Sequence, residues 1–138
     1  LVKLSTERQA ILDQLYSLVD KGDWAAGIAA EKVKTMLKNV LGQGKTPLED
    51  NETEKSELLW QLLESGKGDR VTVTWQNLVG YFADRQLLKK KSAPALNMDF
   101  FGNIDGSDNI NKGRPTKGNL PGRFKKVIPL LDAYLPKQ

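Results

Sequence analysis

The sequence predicts an all-α fold: a compact bundle of four to five helices with a long irregular Gly/Asn/Pro-rich loop before the last helix. Three observations point there. Apolar residues recur at helical spacing in five stretches separated by Gly- and Pro-containing links. Only one stretch alternates like a strand, and it has no evident strand partner. The length, 138 residues, is that of one domain, so residues 1–138 are read as a single helical unit.

The first helix is expected within 5–20. Thr6 and Gln9 make a capping box, Leu4 supplies a staple ahead of it, and Ala10, Ile11, Leu15, Leu18 and Val19 form the apolar stripe. Gly22 stops this helix, and Asp23 caps a second one over 24–41 with Trp24, Ile28, Val33, Met36, Leu37 and Val40 on its face. The short link makes 5–41 a helical hairpin. Residues 42–53 read as an acidic linker. Asn51 and Glu54 open a third helix, 53–65, carrying Leu58, Leu59, Trp60, Leu62 and Leu63, and Gly66 and Gly68 end it.

The strand-like stretch Val71-Thr72-Val73-Thr74-Trp75 is read as an extended lead-in, with Thr74 capping a fourth helix over 75–90. Leu78, Val79, Phe82, Leu87 and Leu88 then face the core, and Lys89, Lys90 and Lys91 suit the negative end of the helix dipole. Residues 92–121 are the long loop, its first half tied to the core by Leu96, Met98, Phe100, Phe101 and Ile104. The last helix, 121–135, presents Phe124, Val127, Ile128, Leu131 and Tyr134, with a kink or restart at Pro129. Trp24, Trp60 and Trp75 all read as core residues, Trp60 also as an anchor if its helix has two apolar faces.

Composition removes many chemistries. The chain holds no Cys and no His. Disulfide frameworks, thiol catalysis, Cys-ligated metals, Ser-His-Asp triads and the usual near-neutral switch are therefore excluded. Any reaction would rest on Asp, Glu, Lys, Arg, Tyr or Ser. No apolar run approaches the roughly 20 residues of a membrane span, and Leu1 to Val19 alternates polar and apolar residues where a signal peptide is continuously apolar. The expected setting is intracellular.

The net charge of +4 conceals an uneven distribution: −5 over residues 46–66 and +7 over 67–138. Five features of the sequence bear on chemistry. Gly42-Gln43-Gly44-Lys45-Thr46 ends like a phosphate-binding loop, but Asn39 stands where the pattern needs Gly and a helix precedes it. A helix C-cap and linker is the simpler account. Asn103 to Ile110 echoes a calcium loop, yet Asp108 occupies the glycine position and Arg114 the bidentate-glutamate position. Asx turns explain the same residues. Asp99, Asp105 and Asp108 are the one acidic cluster in the irregular region, with nothing to set their separation. Helices 53–65 and 75–90 have too long a link for a helix-turn-helix.

The fifth feature is Lys112 to Lys126, six cations without an acid: Lys112, Arg114, Lys117, Arg123, Lys125 and Lys126. Lys89, Lys90 and Lys91, and also Lys67 and Arg70, are candidates to join its face. These residues point to non-enzymatic binding of nucleic acid, or association with a nucleoprotein, through phosphate contacts. The alternative is a helical protein-interaction domain of a larger assembly, in which the basic stretch meets an acidic partner or the chain's own segment 49–57. No catalytic residue, metal or other cofactor is expected, and no membrane partner.

Overall fold

The structure, a computed structural model, describes residues 3–65 and 69–137. Every regular element among them is helical, as expected, but there are seven α-helices and one 3-10 turn in place of four or five helices. They are α1 (Thr6–Val19), α2 (Ala30–Val40), α3 (Asp50–Glu64), α4 (Arg70–Asp84), α5 (Ala93–Phe101), α6 (Asp108–Lys112), the 3-10 turn Pro115–Lys117, and α7 (Gly122–Ala133).

The first hairpin is reshaped at its bend. α1 is capped by Ser5, whose hydroxyl accepts from the Arg8 amide, not by Thr6. α2 begins at Ala30, six residues later than expected. Gly27 with φ +83° sits in the stretch that was expected to be helix, and Trp24 instead forms an isolated antiparallel bridge with Leu88. The Ala25 amide donates to the Leu87 carbonyl at 2.8 Å and the Lys89 amide to the Asp23 carbonyl at 3.0 Å. Tertiary pairing with 87–89 thus outweighs the helical propensity of Ala25 and Ala26, and Ala29 is left as the cap of α2.

α2 ends in a Schellman motif. Gly42 takes φ +79°, its amide reaches Asn39, and the Gln43 amide reaches Lys38. The Gly42–Thr46 segment is therefore a helix cap and link. α3 starts three residues early, at Asp50, because Glu49 and Glu52 form the capping box in place of Asn51 and Glu54. The stop signals Gly66 and Gly68 lie outside the described residues, as does Lys67.

α4 differs most from the sequence reading. It spans Arg70–Asp84, so Val71 to Thr74 is helical and not an extended lead-in. Asp69 is the cap, accepting from the Thr72 amide at 3.1 Å. Thr74, inside the helix, donates its hydroxyl to the Leu62 carbonyl at 2.8 Å. α4 is the central helix. Its residues from Thr74 to Phe82 are buried without interruption, and it packs on α3, α5, α6 and the 3-10 turn. The strand reading comes from the β-branched run Val71 to Thr74, of which Thr72 and Val73 are half-buried, and from Thr74 onward burial on every side leaves no polar stripe to mark a helix. Leu87, Leu88 and Lys89 to Lys91 lie beyond its end, in an extended segment that follows Gln86 at φ 64°.

Residues 92–121 are not an irregular loop but α5, α6 and the 3-10 turn. α5 has Ser92 as cap, Pro94 in its first turn and left-handed Gly102 after its end. Leu96 and Phe100 are buried, whereas Met98 and Ile104 remain 49% and 56% exposed. α7 runs through Pro129 without a break and packs on α3 and α2.

All three tryptophans are core residues, Trp24 at 8%, Trp60 at 3% and Trp75 at 0% exposure, so Trp60 is not a surface anchor. Trp24 and Trp75 each meet Phe82 and Phe100 edge-to-face, with centroids 5.4–6.1 Å apart. This ring cluster joins the 20–29 segment, α4 and α5. The Trp24 indole donates to the Val19 carbonyl at 2.8 Å and the Trp60 indole to the Leu41 carbonyl at 3.0 Å.

The contact between α4 and α6 is a backbone contact. A Cβ on Gly80 would lie 1.9 Å from the Ile110 carbonyl oxygen, and one on Gly113 would lie 1.9 Å from that of Asn77. Gly80→Ala and Gly113→Ala are each expected to destabilise the protein by about 2 kcal/mol or more. Gly122→Ala, at an open position, is the control and stays near wild type. Urea denaturation of the three variants is the measurement.

Candidate polyanion-binding surface

The irregular-looking segment is held by carboxamides. The Gln76 amide on α4 donates to the Asn97 side-chain oxygen at 2.8 Å and to the Asp105 carbonyl at 3.2 Å. Asn97, fully buried, donates in turn to the Asn103 and Asp105 carbonyls. Asn109 donates to the Gln76 side-chain oxygen at 3.0 Å, and Asn77 donates to the Asn109 carbonyl at 2.8 Å. These bonds satisfy the Gln76 and Asn97 carboxamides, which are 2% and 0% exposed, and tie the 103–109 backbone to α4 and α5. Asn103 makes the Asx turn expected of this stretch, accepting from the Asp105 amide at 2.9 Å.

Arg114 belongs to the same interior. Its guanidinium is 10% exposed and faces the Asp84 carboxylate, 6% exposed, at 3.8 Å. It donates to the Asn111 side-chain oxygen at 3.0 Å and to the Lys91 carbonyl. Asp84 also accepts from the Thr116 amide and hydroxyl, both at 2.8 Å. Arg114 is therefore a staple and not a surface cation. Every donor it uses is bound within the fold, and it brings the 89–91 segment against the 111–116 segment.

The remaining candidates fall into two groups. Lys89, Lys90, Lys91, Lys112 and Lys117 flank the staple. Among them Lys90 is committed to carboxylates on two sides, Asp99 at 2.8 Å and Asp23 at 3.2 Å. Those pairs raise the Lys90 ammonium above its usual range and hold Asp23 below the carboxylate range. Lys89 lies 3.7 Å from Asp23, and Lys112 lies 3.6 Å from Asp108, both at exposed, weak contacts. Among the described residues, no carboxylate lies within 4.0 Å of Lys91 or Lys117.

The second group is on α7. Arg123 donates to the Gln61 side chain on α3 at 2.9 Å. Lys126 lines a shallow cleft with Thr53, Glu54, Glu57 and Gln61, and Lys125 is exposed. The start of α7 thus lies beside α3, with a hydrogen bond from Arg123 to Gln61 and, among the described residues, no carboxylate within 4.0 Å of Arg123, Lys125 or Lys126. Lys67 lies outside the described residues. Arg70, at the opposite end of α4 from Lys89, is separated from the first group by the length of that helix, roughly 20 Å.

The other features resolve as structure. α4 is buried along most of its length, so it presents no recognition face of the kind a helix-turn-helix needs, although the link from α3 is shorter than expected. Asp99 and Asp108 pair with Lys90 and Lys112. Among the described residues no three acidic side chains converge as metal ligands would. No helix there is long and apolar enough to cross a membrane. A second cleft, about 570 Å³, lies elsewhere, between Leu4 and Arg8 of the α1 end, the Gly42–Leu48 link, and Trp60. Arg8 stacks 4.8 Å above the Trp60 ring and bonds both Glu57 and Glu64 there. No family model, no curated protein and no solved structure matches the chain.

Sequence reasoning could not distinguish Arg114 from its neighbours, because Lys-Gly-Arg-Pro-Thr-Lys looks uniformly solvated. The available signal was weak: a Gly immediately before and a Pro immediately after one arginine.

Two expectations follow. Arg114→Ala leaves Asp84 buried without its cation and should lower stability by about 3 kcal/mol in a denaturant titration. Arg114→Lys, lacking the fork that spans Asn111 and Lys91, rescues only part of it. Stability should also be nearly flat from about pH 5 to 9, since no His titrates. On the acid side, Glu57 is held low by Arg8 and Asp132 by Arg85 and Tyr81 against the opposing effect of burial. Their stabilisation is complete above the unfolded carboxylate range, about pH 4, and is lost as pH falls through the folded values. On the alkaline side, burial and then the Asp132 bond push Tyr81 up. Its contribution is present below about pH 10 and lost above it. Melting temperature against pH gives the curve; a drop between pH 6 and 8 contradicts it.

Proposed function

We propose that the chain is a non-enzymatic nucleic-acid-binding or nucleoprotein-associated module that contacts phosphates through Lys89, Lys91, Lys112 and Lys117. The observation that carries this reading is the Arg114 staple. It draws two basic segments, more than 20 residues apart in the chain, onto one edge of the molecule. The seating of α7 beside α3 leaves Arg123 and Lys126 with a smaller part in it, and Lys125 as a peripheral contributor. Lys90, shared between Asp23 and Asp99, serves to order the edge.

A protein-interaction role is the second reading, and the 570 Å³ cleft beside Trp60 is what favours it. Its other motivation weakens, because Leu59, Leu62 and Leu63 are buried and Leu58 packs on the core, so α3 has no apolar face to spare.

The test is electrophoretic mobility shift with a mixed pool of DNA and RNA fragments at about 50 mM salt. Wild type should bind, and Lys91→Gln/Lys117→Gln should bind about tenfold more weakly, with unchanged circular dichroism. Absence of binding at this salt overturns the reading.

A further inference from the structure

We infer that the nucleic acid held by this edge is double-helical and is gripped by its phosphates without regard to base sequence. The inference rests on the binding reading above and narrows its ligand.

Single-stranded nucleic acid is held by stacking bases on aromatic rings or on guanidinium planes, along a basic groove. Here the rings are spent on the interior. Trp24, Trp60, Trp75, Tyr81, Phe82, Phe100 and Phe124 are buried. The three partly exposed rings are placed away from the edge or fastened down: Tyr134 donates to Glu52 of the acidic helix, and Tyr16 and Phe101 pack against the core. Three of the five guanidinium planes are spent as well: Arg8 lies on Trp60 between two glutamates, Arg85 on Tyr81 with Asp132, and Arg114 is the buried staple. The other two stand off the edge, Arg70 at the far end of α4 and Arg123 on α7 bonded to Gln61 of α3. The edge is left with lysines alone.

A lysine ammonium is a compact point charge without the planar fork that reads base edges. Four such charges match a phosphate lattice and little else. A duplex presents one charge per roughly 1.7 Å of axis, about twice the density of one of its strands. The lysines are also mounted on backbone that hydrogen bonds hold in place: Lys91 by Arg114, Lys117 beside Thr116 and Asp84, and Lys89 through the Asp23 carbonyl. A mounted array favours the regular spacing of a double helix over a flexible strand that must be ordered on binding.

The experiment is fluorescence anisotropy of the full chain with a 20-base-pair duplex and with each of its single strands, from about 50 to 200 mM salt. The duplex should bind at least tenfold more tightly than either strand. A duplex of scrambled sequence should bind within threefold of the first. The slope of log affinity on log salt should be about −3 to −4 and should fall by about half in Lys91→Gln/Lys117→Gln. That variant changes exposed side chains only, and its unaltered urea midpoint confirms folding. Equal or tighter binding of a single strand, a sequence preference above tenfold, or a slope unmoved by the variant overturns the inference while the binding reading stands. If no oligonucleotide binds at 50 mM salt, both fall.

Discussion

The close backbone approach of α4 and α6 at Gly80 and Gly113 is the constraint on which the rest of the structure depends. It brings α6 near enough for Asn77 to reach the Asn109 carbonyl and for Gln76 to exchange hydrogen bonds with Asn97 and Asn109. The Gln76 and Asn97 carboxamides at the centre of these bonds are buried, so no water can replace a lost partner there. A buried polar network of this kind is all-or-nothing, since a half-satisfied one carries the full desolvation penalty of each orphan group. The same contact places Asp84 and Arg114 face to face, so the surface edge carrying Lys91 and Lys117 inherits its geometry from two glycines in the core.

That dependence explains which parts of the fold were legible in the sequence. Helices with one apolar stripe and one wet face were legible in kind: α1, α2, α3 and α7 all appear, and the three tryptophans are core residues as expected. The boundaries moved where local signals competed. Ser5 and Glu49 took caps assigned to Thr6 and Asn51, and an isolated β-bridge at Trp24 took the first turn from α2. α4 is legible only in its second half, because Val71-Thr72-Val73 at its half-buried start reads by β-branching, and the buried stretch from Thr74 to Phe82 has no polar stripe to set the period. The segment 92–121 was missed for the opposite reason. Gly, Asn and Asp are the residues of exposed turns, and nothing local to Asn97 or Asn109 reveals that each will meet a carboxamide or carbonyl more than a dozen residues away or across a helix.

The charges follow the same pattern. Segment sums located the acidic and basic halves of the chain, but sums do not say which charges are already satisfied. Arg8 is claimed by Glu57 and Glu64, Lys34 by Asp20 and Glu31, Arg85 by Asp132, and Lys90 by Asp23 and Asp99. On α7, Arg123 reaches Gln61 of α3 and Lys126 lines the cleft beside it. Of the nine positions marked as candidate anion contacts, one is interior and one is bridged on both sides. What remains is a smaller and better defined set than the run of basic residues implied.

Docking of 92–121 also changes the physics of any binding at that edge. A mobile basic loop would wrap its ligand and lose conformational entropy in doing so, at roughly 1–2 kcal/mol for each residue ordered. In this fold the loss is incurred on folding, through Asn97, Asn109 and Arg114. If the edge binds phosphates as proposed, the lysines act as a fixed array whose affinity comes from counterion release, and such an array gains nothing from adapting to its ligand. The absence of His from the sequence completes the description: with no side chain that ordinarily titrates near neutrality, ionic strength and not pH is the variable that governs the charge interactions of this surface.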